Sequence, residues 1–290
     1  MKNNKILVVL IGALLAFPAL ADNQSGGIGG YWDHVKTDWL GFRDGAKPFY
    51  FRAGYTDMAP KATSSEVYLE NVGGIAQLAV DNGPIAGSSA SIESTKFPSM
   101  IIGMQLPWGN GAWSVETVLA LPLTVKFQGG GTLANESIAA YALNNIPTGV
   151  PALGTEFGES KVLPPLVTMV YRFRHLERFR PYVGAGLAYL YSYDAKVTNP
   201  ILTAVSDPKL TVDPAFGVVA QAGMEYRFWG DWFANLDVKF VGGLKTTATV
   251  KDIWVETPGL PLYQVARVGD AKMDVTVNPW VYHIGFGFNF

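Results

Sequence analysis

The chain has 290 residues, 22 basic against 24 acidic, with 32 glycines, 16 Phe, 13 Tyr, 8 Trp and no cysteine. That length holds one large domain or two small ones, and the near-neutral charge gives no electrostatic footing for nucleic acid. The missing cysteines exclude disulfides, thiol nucleophiles and Cys-based metal sites.

Residues 1–21 read as a secretory signal peptide. Lys2 and Lys5 form a basic start, Ile6 to Phe17 is an apolar core of twelve residues, and Ala19-Leu20-Ala21 fits a small-x-small cleavage site before Asp22. Twelve apolar residues fall short of the roughly 20 a spanning helix needs. No later apolar run reaches ~18 residues, which argues against an inner-membrane destination. Residues 22–47, with Trp32, Trp39 and Phe42, are expected to form a periplasmic segment that docks in a barrel mouth or stays unstructured.

From residue 48 onward the pattern has period two. "PFYFRAGYT" (48–56) sets Phe49, Phe51, Ala53 and Tyr55 against Tyr50, Arg52, Gly54 and Thr56. The same alternation recurs at 97–106, 113–121, 166–173, 181–191, 216–228, 232–240 and 280–290, which makes eight strands. Successive side chains of a strand point to opposite faces. In the last one, "WVYHIGFGFNF", Trp280, Tyr282, Ile284, Phe286, Phe288 and Phe290 share one face, opposite Val281, His283, Gly285, Gly287 and Asn289.

Connections alternate strictly between short (107–112, 174–179, 229–231) and long (57–96, 122–163, 192–214, 242–274). Short periplasmic turns with long external loops mark an outer-membrane barrel. Aromatics beside the short turns (Trp108, Trp113, Phe173, Phe179, Phe228, Trp229, Trp232) fit an interfacial girdle. Closure removes both sheet edges and satisfies every backbone group within lipid. The expected fold is therefore all-β, an eight-stranded antiparallel transmembrane barrel over 48–290. A soluble binding barrel would invert the pattern, because here the charges share the small-residue face.

Eight strands leave a bore wide enough for side chains or one small ligand. Charges of the inward parity (Arg52, Glu116, Arg172, Glu225, Arg227, Asp237, Lys239 and His283) predict a polar plug in the periplasmic half. Tyr182, Val118, Leu166, Val170 and Phe216 are candidates for an apolar channel wall above it. Pro164 and Pro165 remove two ladder donors at the start of the fourth strand and are candidates for a lateral opening. No G-x-S-x-G elbow is present, and His34, His175 and His283 have no H-x-x-x-H spacing, so neither catalysis, a metal nor a cofactor is expected.

"VLPPLVTMVYRF", "RPYVGAGLAYLY", "FGVVAQAGMEY", "DWFANLDVKF" and "VNPWVYHIGFGFNF" resemble the OmpW family of outer-membrane barrels over roughly 48–290, and "LPLTVKFQG" (121–129) is similar to its alkane-uptake, AlkL-like branch. The resemblance implies passive uptake of small hydrophobic molecules, with sideways exit through the barrel wall into lipid. Expected partners are outer-membrane lipid, a small hydrophobic solute and the outer-membrane insertion machinery, engaged through Phe290. Founding members carry a Trp at the constriction, just before the glycine opening the sixth strand. This chain has Phe216 before Gly217, and simple alternation puts Phe216 on the lipid side unless a bulge turns it inward. The stretch 139–160 within the long 122–163 connection is expected to form a lid or short helix. The alternatives are a surface-interaction barrel that binds an external partner through its long loops, and a narrow ion-conducting pore.

Overall fold

A computed structural model describes residues 47–119, 122–174 and 177–290. The proposed signal peptide, the segment with Trp32, Trp39 and Phe42, and His34 and His175 lie outside the described residues.

Eight strands close a barrel: β1 (Phe49–Ala59), β2 (Thr95–Gln105), β3 (Trp113–Leu119), β4 (Leu166–Arg172), β5 (Phe179–Val197), β6 (Ala215–Trp229), β7 (Trp232–Gly242) and β8 (Trp280–Asn289). Each pairs antiparallel with its chain neighbours, and β8 returns to β1 with Tyr50 opposite Asn289 and Ala59 opposite Trp280. The seam is finished at the carboxyl end, where Phe290 N–H donates to the Phe49 carbonyl (2.8 Å) and Phe49 N–H to that of Phe290 (3.1 Å). No helix among the described residues is long and apolar enough to cross a membrane.

The alternation sorts the side chains as the period demands. Leu187, Val218, Ile284 and Phe286 stand on the outside, each more than 60% exposed, while Arg52, Ser114 and Glu116 are buried inside. Trp108, Phe173, Phe179, Phe228, Trp229 and Trp232 are exposed beside the short turns. The tightest turn places Gly230 at φ +51°, a left-handed value that a glycine adopts without steric cost.

The long connections are not loops. Above the level of Pro60, Gly243 and Asn278, the chain continues upward as further strands. One wing orders Lys209–Val212, Leu244–Glu256, Val265–Val277, Val67–Glu70 and Gly83–Ile85, with Ala62–Ser64 also on Val265–Val277. The other carries Ser88–Ile92, Leu123–Gly131, Glu156–Leu163 and the upper end of β5. Gly243 takes φ +80° where β7 bends into its continuation, and its N–H donates to Asn278 Oδ1 (2.8 Å) across the bend. Between the wings lies an apolar core that includes Val67, Leu69, Val197, Leu210, Val250 and Ile253.

Of the expected lid or helix, the helix is displaced. The helical turn is Thr132–Asn135, ahead of 139–160, and the latter forms a small hairpin of Tyr141–Ala142 with Ile146–Pro147. Leu133, Ala139 and Val150 bury into the core from above. The segment is a cap whose apolar residues are too widely spaced to show a helical period in sequence.

Candidate functional site

The periplasmic half of the bore is filled by a closed ionic network. Arg52 on β1 donates to Glu116 Oε1 (2.6 Å), Glu116 Oε2 (3.2 Å) and Glu225 Oε1 (2.9 Å). Arg172 on β4 donates to Glu116 Oε1 (2.9 Å), to Glu225 Oε1 (3.0 Å) and to Ser114 Oγ. Lys239 donates to Asp237, which also accepts from Gln221 Nε2 (2.6 Å) and the Tyr182 hydroxyl (2.6 Å). Gln221 reaches Glu116 Oε2 as well (3.1 Å), joining the two clusters. Three cations meet three carboxylates, all six at most 5% exposed. Buried charges are tolerated only when paired and hydrogen-bonded, and this set is both.

Two tyrosines wedge the network. The Arg172 guanidinium lies 4.6 Å from the centroid of the Tyr50 ring, and that of Arg52 lies 5.1 Å from both Tyr50 and Tyr182, within cation–π range. The rings have room because the neighbouring strands carry glycine. A Cβ at Gly103 would overlap Tyr50, and one at Gly223 would overlap Tyr182. Below them the buried Phe233 ring sits against Gly287 and closes the periplasmic end.

Above the network the bore opens into an apolar cavity of about 120 Å³. Val118, Pro164, Leu166, Val241, Leu244 and Val277 contribute to its wall, while Lys239 and His283 line it as polar side chains. A second apolar space of about 50 Å³ lies higher, between the wings. Ile92, Phe127, Val212 and Thr246 line both, so the two spaces adjoin.

Two prolines stand in the wall beside the main cavity. Among the described residues, pairing of β3 with β4 runs to Thr117 opposite Val167, and pairing of Leu123–Gly131 with Glu156–Leu163 includes Leu123 opposite Val162. Pro164 and Pro165 lie between these two runs and supply no N–H. On their other side the ladder to β5 holds, because Tyr189 N–H donates to the Pro165 carbonyl (3.0 Å).

Most of the predicted site residues meet here, with exceptions. Arg52, Glu116, Arg172, Glu225, Asp237 and Lys239 form the plug. His283 sits higher, its Nδ1 against Thr56 Oγ1 and Ser99 Oγ (3.1 Å each). Arg227 is not part of the plug: it lies at the periplasmic rim, 3.8 Å from Asp231. Its inward parity is correct, but it stands one pleat too low. Val118, Leu166 and Pro164 line the cavity, whereas Val170 is buried below it, against Gly184. Tyr182, expected in the apolar wall, belongs to the plug because its hydroxyl finds Asp237. Phe216 is not in the channel: it is 74% exposed on the lipid side, its ring 4.6 Å from that of Tyr189. The register from Tyr189 opposite Phe216 downward is continuous, so no bulge turns it inward. The expectations missed Tyr50, Ser114, Gln221 and Asn235 as plug members, although their parity marks them as inward.

A family model described as the OmpW family matches residues 46–290. Outer membrane protein W of Vibrio cholerae is 33% identical over 183 residues, 61% of this chain and 76% of that protein. Outer membrane protein AlkL of Ectopseudomonas oleovorans is 28% identical over 137 residues, 42% of this chain and 56% of that protein. The latter agrees with the branch suggested by residues 121–129. The crystal structure of outer membrane protein OprG from Pseudomonas aeruginosa superposes with a TM-score of 0.60 at 22% identity, covering 84% of this chain and 96% of OprG. At that identity the likeness speaks to the fold, an outer-membrane barrel.

Proposed function

The chain belongs to the OmpW family and resides in the outer membrane, and from that premise we propose that it admits small hydrophobic molecules and releases them sideways into the bilayer. One observation carries this reading: an apolar cavity rests on a sealed ionic floor, with Pro164 in its wall and Pro165 next to it, two residues that have no ladder N–H. A solute arriving from outside passes the space between the wings, crosses the ring of Ile92, Phe127, Val212 and Thr246, and occupies the main cavity. Each 100 Å² of its surface removed from water stabilises it there by about 2.5 kcal/mol. An apolar cavity of about 150 Å³ accommodates benzene, so a site of about 120 Å³ suits a small hydrocarbon after modest side-chain movement.

Straight passage to the periplasm requires breaking the plug, and separating a buried ion pair costs about 3–5 kcal/mol. Sideways passage beside Pro164 and Pro165 meets two residues that have no N–H to give to a ladder. The floor thereby directs the solute into the membrane, and it opposes an ion-conducting role. The test is uptake of a labelled alkane or monoterpene by cells with and without the protein. A clear difference for the apolar solute and none for a sugar is expected; equal alkane uptake would overturn the reading.

A further inference from the structure

An apolar cavity built for hydrocarbon alone has no use for an unsatisfied polar atom, yet this one has such an atom at one end. His283 is 4% exposed and its Nε2 has no hydrogen-bond partner among the described residues. Leaving such a group bare costs about 1–3 kcal/mol. On its other side, Nδ1 meets both the Thr56 and Ser99 hydroxyls, which are themselves 2.5 Å apart. With a hydroxyl donating to Nδ1 the ring proton sits on Nε2, and with Nδ1 donating Nε2 is an acceptor; in either tautomer Nε2 has no partner among the described residues and can meet a ligand oxygen or hydroxyl. Lys239, 2% exposed, lines the same cavity. Its hydrogen bond is to Asp237, and an ammonium carries three donors. Among the described residues no carboxylate lines this cavity. Its polar end therefore joins an ammonium to an unpartnered imidazole nitrogen.

We propose that the cavity binds, oxygen end down, a hydrocarbon bearing a terminal oxygen acceptor, an alcohol or a carboxylate, with His283 Nε2 and Lys239 Nζ receiving the oxygen and the Val118, Leu166 and Val241 wall receiving the tail. This deepens the uptake reading and rests on it. The oxygen lies deepest, against the plug, and the tail points toward the upper cavity and Pro164. Bare alkanes still enter, but they leave His283 Nε2 unsatisfied and are bound less tightly.

The test uses the full chain in lipid nanodiscs, with nitrogen-labelled histidine and labelled Leu and Val methyls. 1-Octanol, octanoate and n-octane are titrated in turn, with protein-free nanodiscs as reference. Saturable movement of the His283 Nε2 resonance is expected with 1-octanol and octanoate and not with octane, while the Leu166 and Val118 methyls respond to all three. In competition, 1-octanol should outbind octane about tenfold, the worth of one well-made hydrogen bond. That ratio should fall to near unity in His283→Phe and in the charge-neutral pair Lys239→Met with Asp237→Asn. Should either variant fail to fold, the wild-type titration decides alone. Methyls that respond equally to all three ligands beside a silent His283 would overturn the inference and leave the uptake reading standing. Methyls silent to every ligand would overturn both.

Discussion

A single strand contains both environments of the bore. Along β7 the inward residues Phe233, Asn235, Asp237 and Lys239 belong to the periplasmic half, and Val241, then Leu244 past the bend at Gly243, belong to the outer half. The outward face is apolar throughout the membrane, as lipid requires. Only the inward face changes, from ions that satisfy one another to aliphatic side chains that bind nothing specific. The two halves solve the narrow bore differently. Below, the space is closed by mutual pairing, and removing one member leaves its partners charged and buried. Above, the space is left partly empty, and removing a side chain merely enlarges it.

The largest test of that contrast is Glu116→Ala. Glu116 accepts from both buried arginines, from Tyr50 and from Gln221. Its loss leaves two guanidiniums beside one remaining glutamate, a destabilisation of about 3–5 kcal/mol. Urea unfolding in detergent micelles measures this, and planar-bilayer conductance should reveal a new ion leak in whatever fraction folds. A variant as stable and as tight as the parent would show that the plug is not held by its charges.

Next comes Leu166→Trp, which fills the main cavity. Overpacking costs about 1–3 kcal/mol, less than breaking the plug, while uptake of an apolar solute should drop to near background. The pair separates the halves: stability answers mainly to the lower one and transport to the upper. Unchanged uptake in Leu166→Trp would remove the cavity from the route.

A smaller effect is expected from Pro164→Ala combined with Pro165→Ala. The restored N–H at residue 164 would add a ladder donor on the β3 side, while that at 165 would face β5, where the Pro165 carbonyl already accepts from Tyr189. Uptake should fall severalfold with stability changed by about 1 kcal/mol or less. Hydrogen exchange should show new protection at residues 164 and 165. New protection with undiminished uptake would move the exit elsewhere in the wall.

The sequence made the faces legible and left the heights obscure. Period two assigns Arg52, Glu116, Arg172, Glu225, Asp237 and Lys239 to the bore because lipid forbids them the other side, and all six are found there. Parity says nothing about depth, which depends on how the tilted strands are staggered. Tyr182 and Val118 share a face and differ in height, so one joins the plug and the other the cavity. Arg227 falls to the rim for the same reason. The upper wings were harder still. Leu123, Val125 and Phe127 alternate with Thr124, Lys126 and Gln128, but above the membrane the apolar parity points inward. A pattern tuned to lipid-facing strands therefore passes over them as loop. The unpartnered nitrogen of His283 depends on Thr56 and Ser99 from two other strands and has no linear signature.

Phe216 gives the smallest and most diagnostic effect. The family resemblance placed this position at the constriction, whereas plain alternation placed it in lipid. The structure agrees with alternation, since the ring packs on Tyr189 outside the barrel. Phe216→Ala should cost about 0.5–1.5 kcal/mol through the lost aromatic pair and leave apolar uptake within twofold of the parent, because no cavity-lining atom is removed. The same truncation inside, Leu166→Ala, should instead widen the cavity and shift the preferred solute to a bulkier one. If Phe216→Ala altered solute size selection as Leu166→Ala does, the constriction would include the lipid-side wall, and the division between a structural outside and a selective inside would have to be redrawn around β5 and β6.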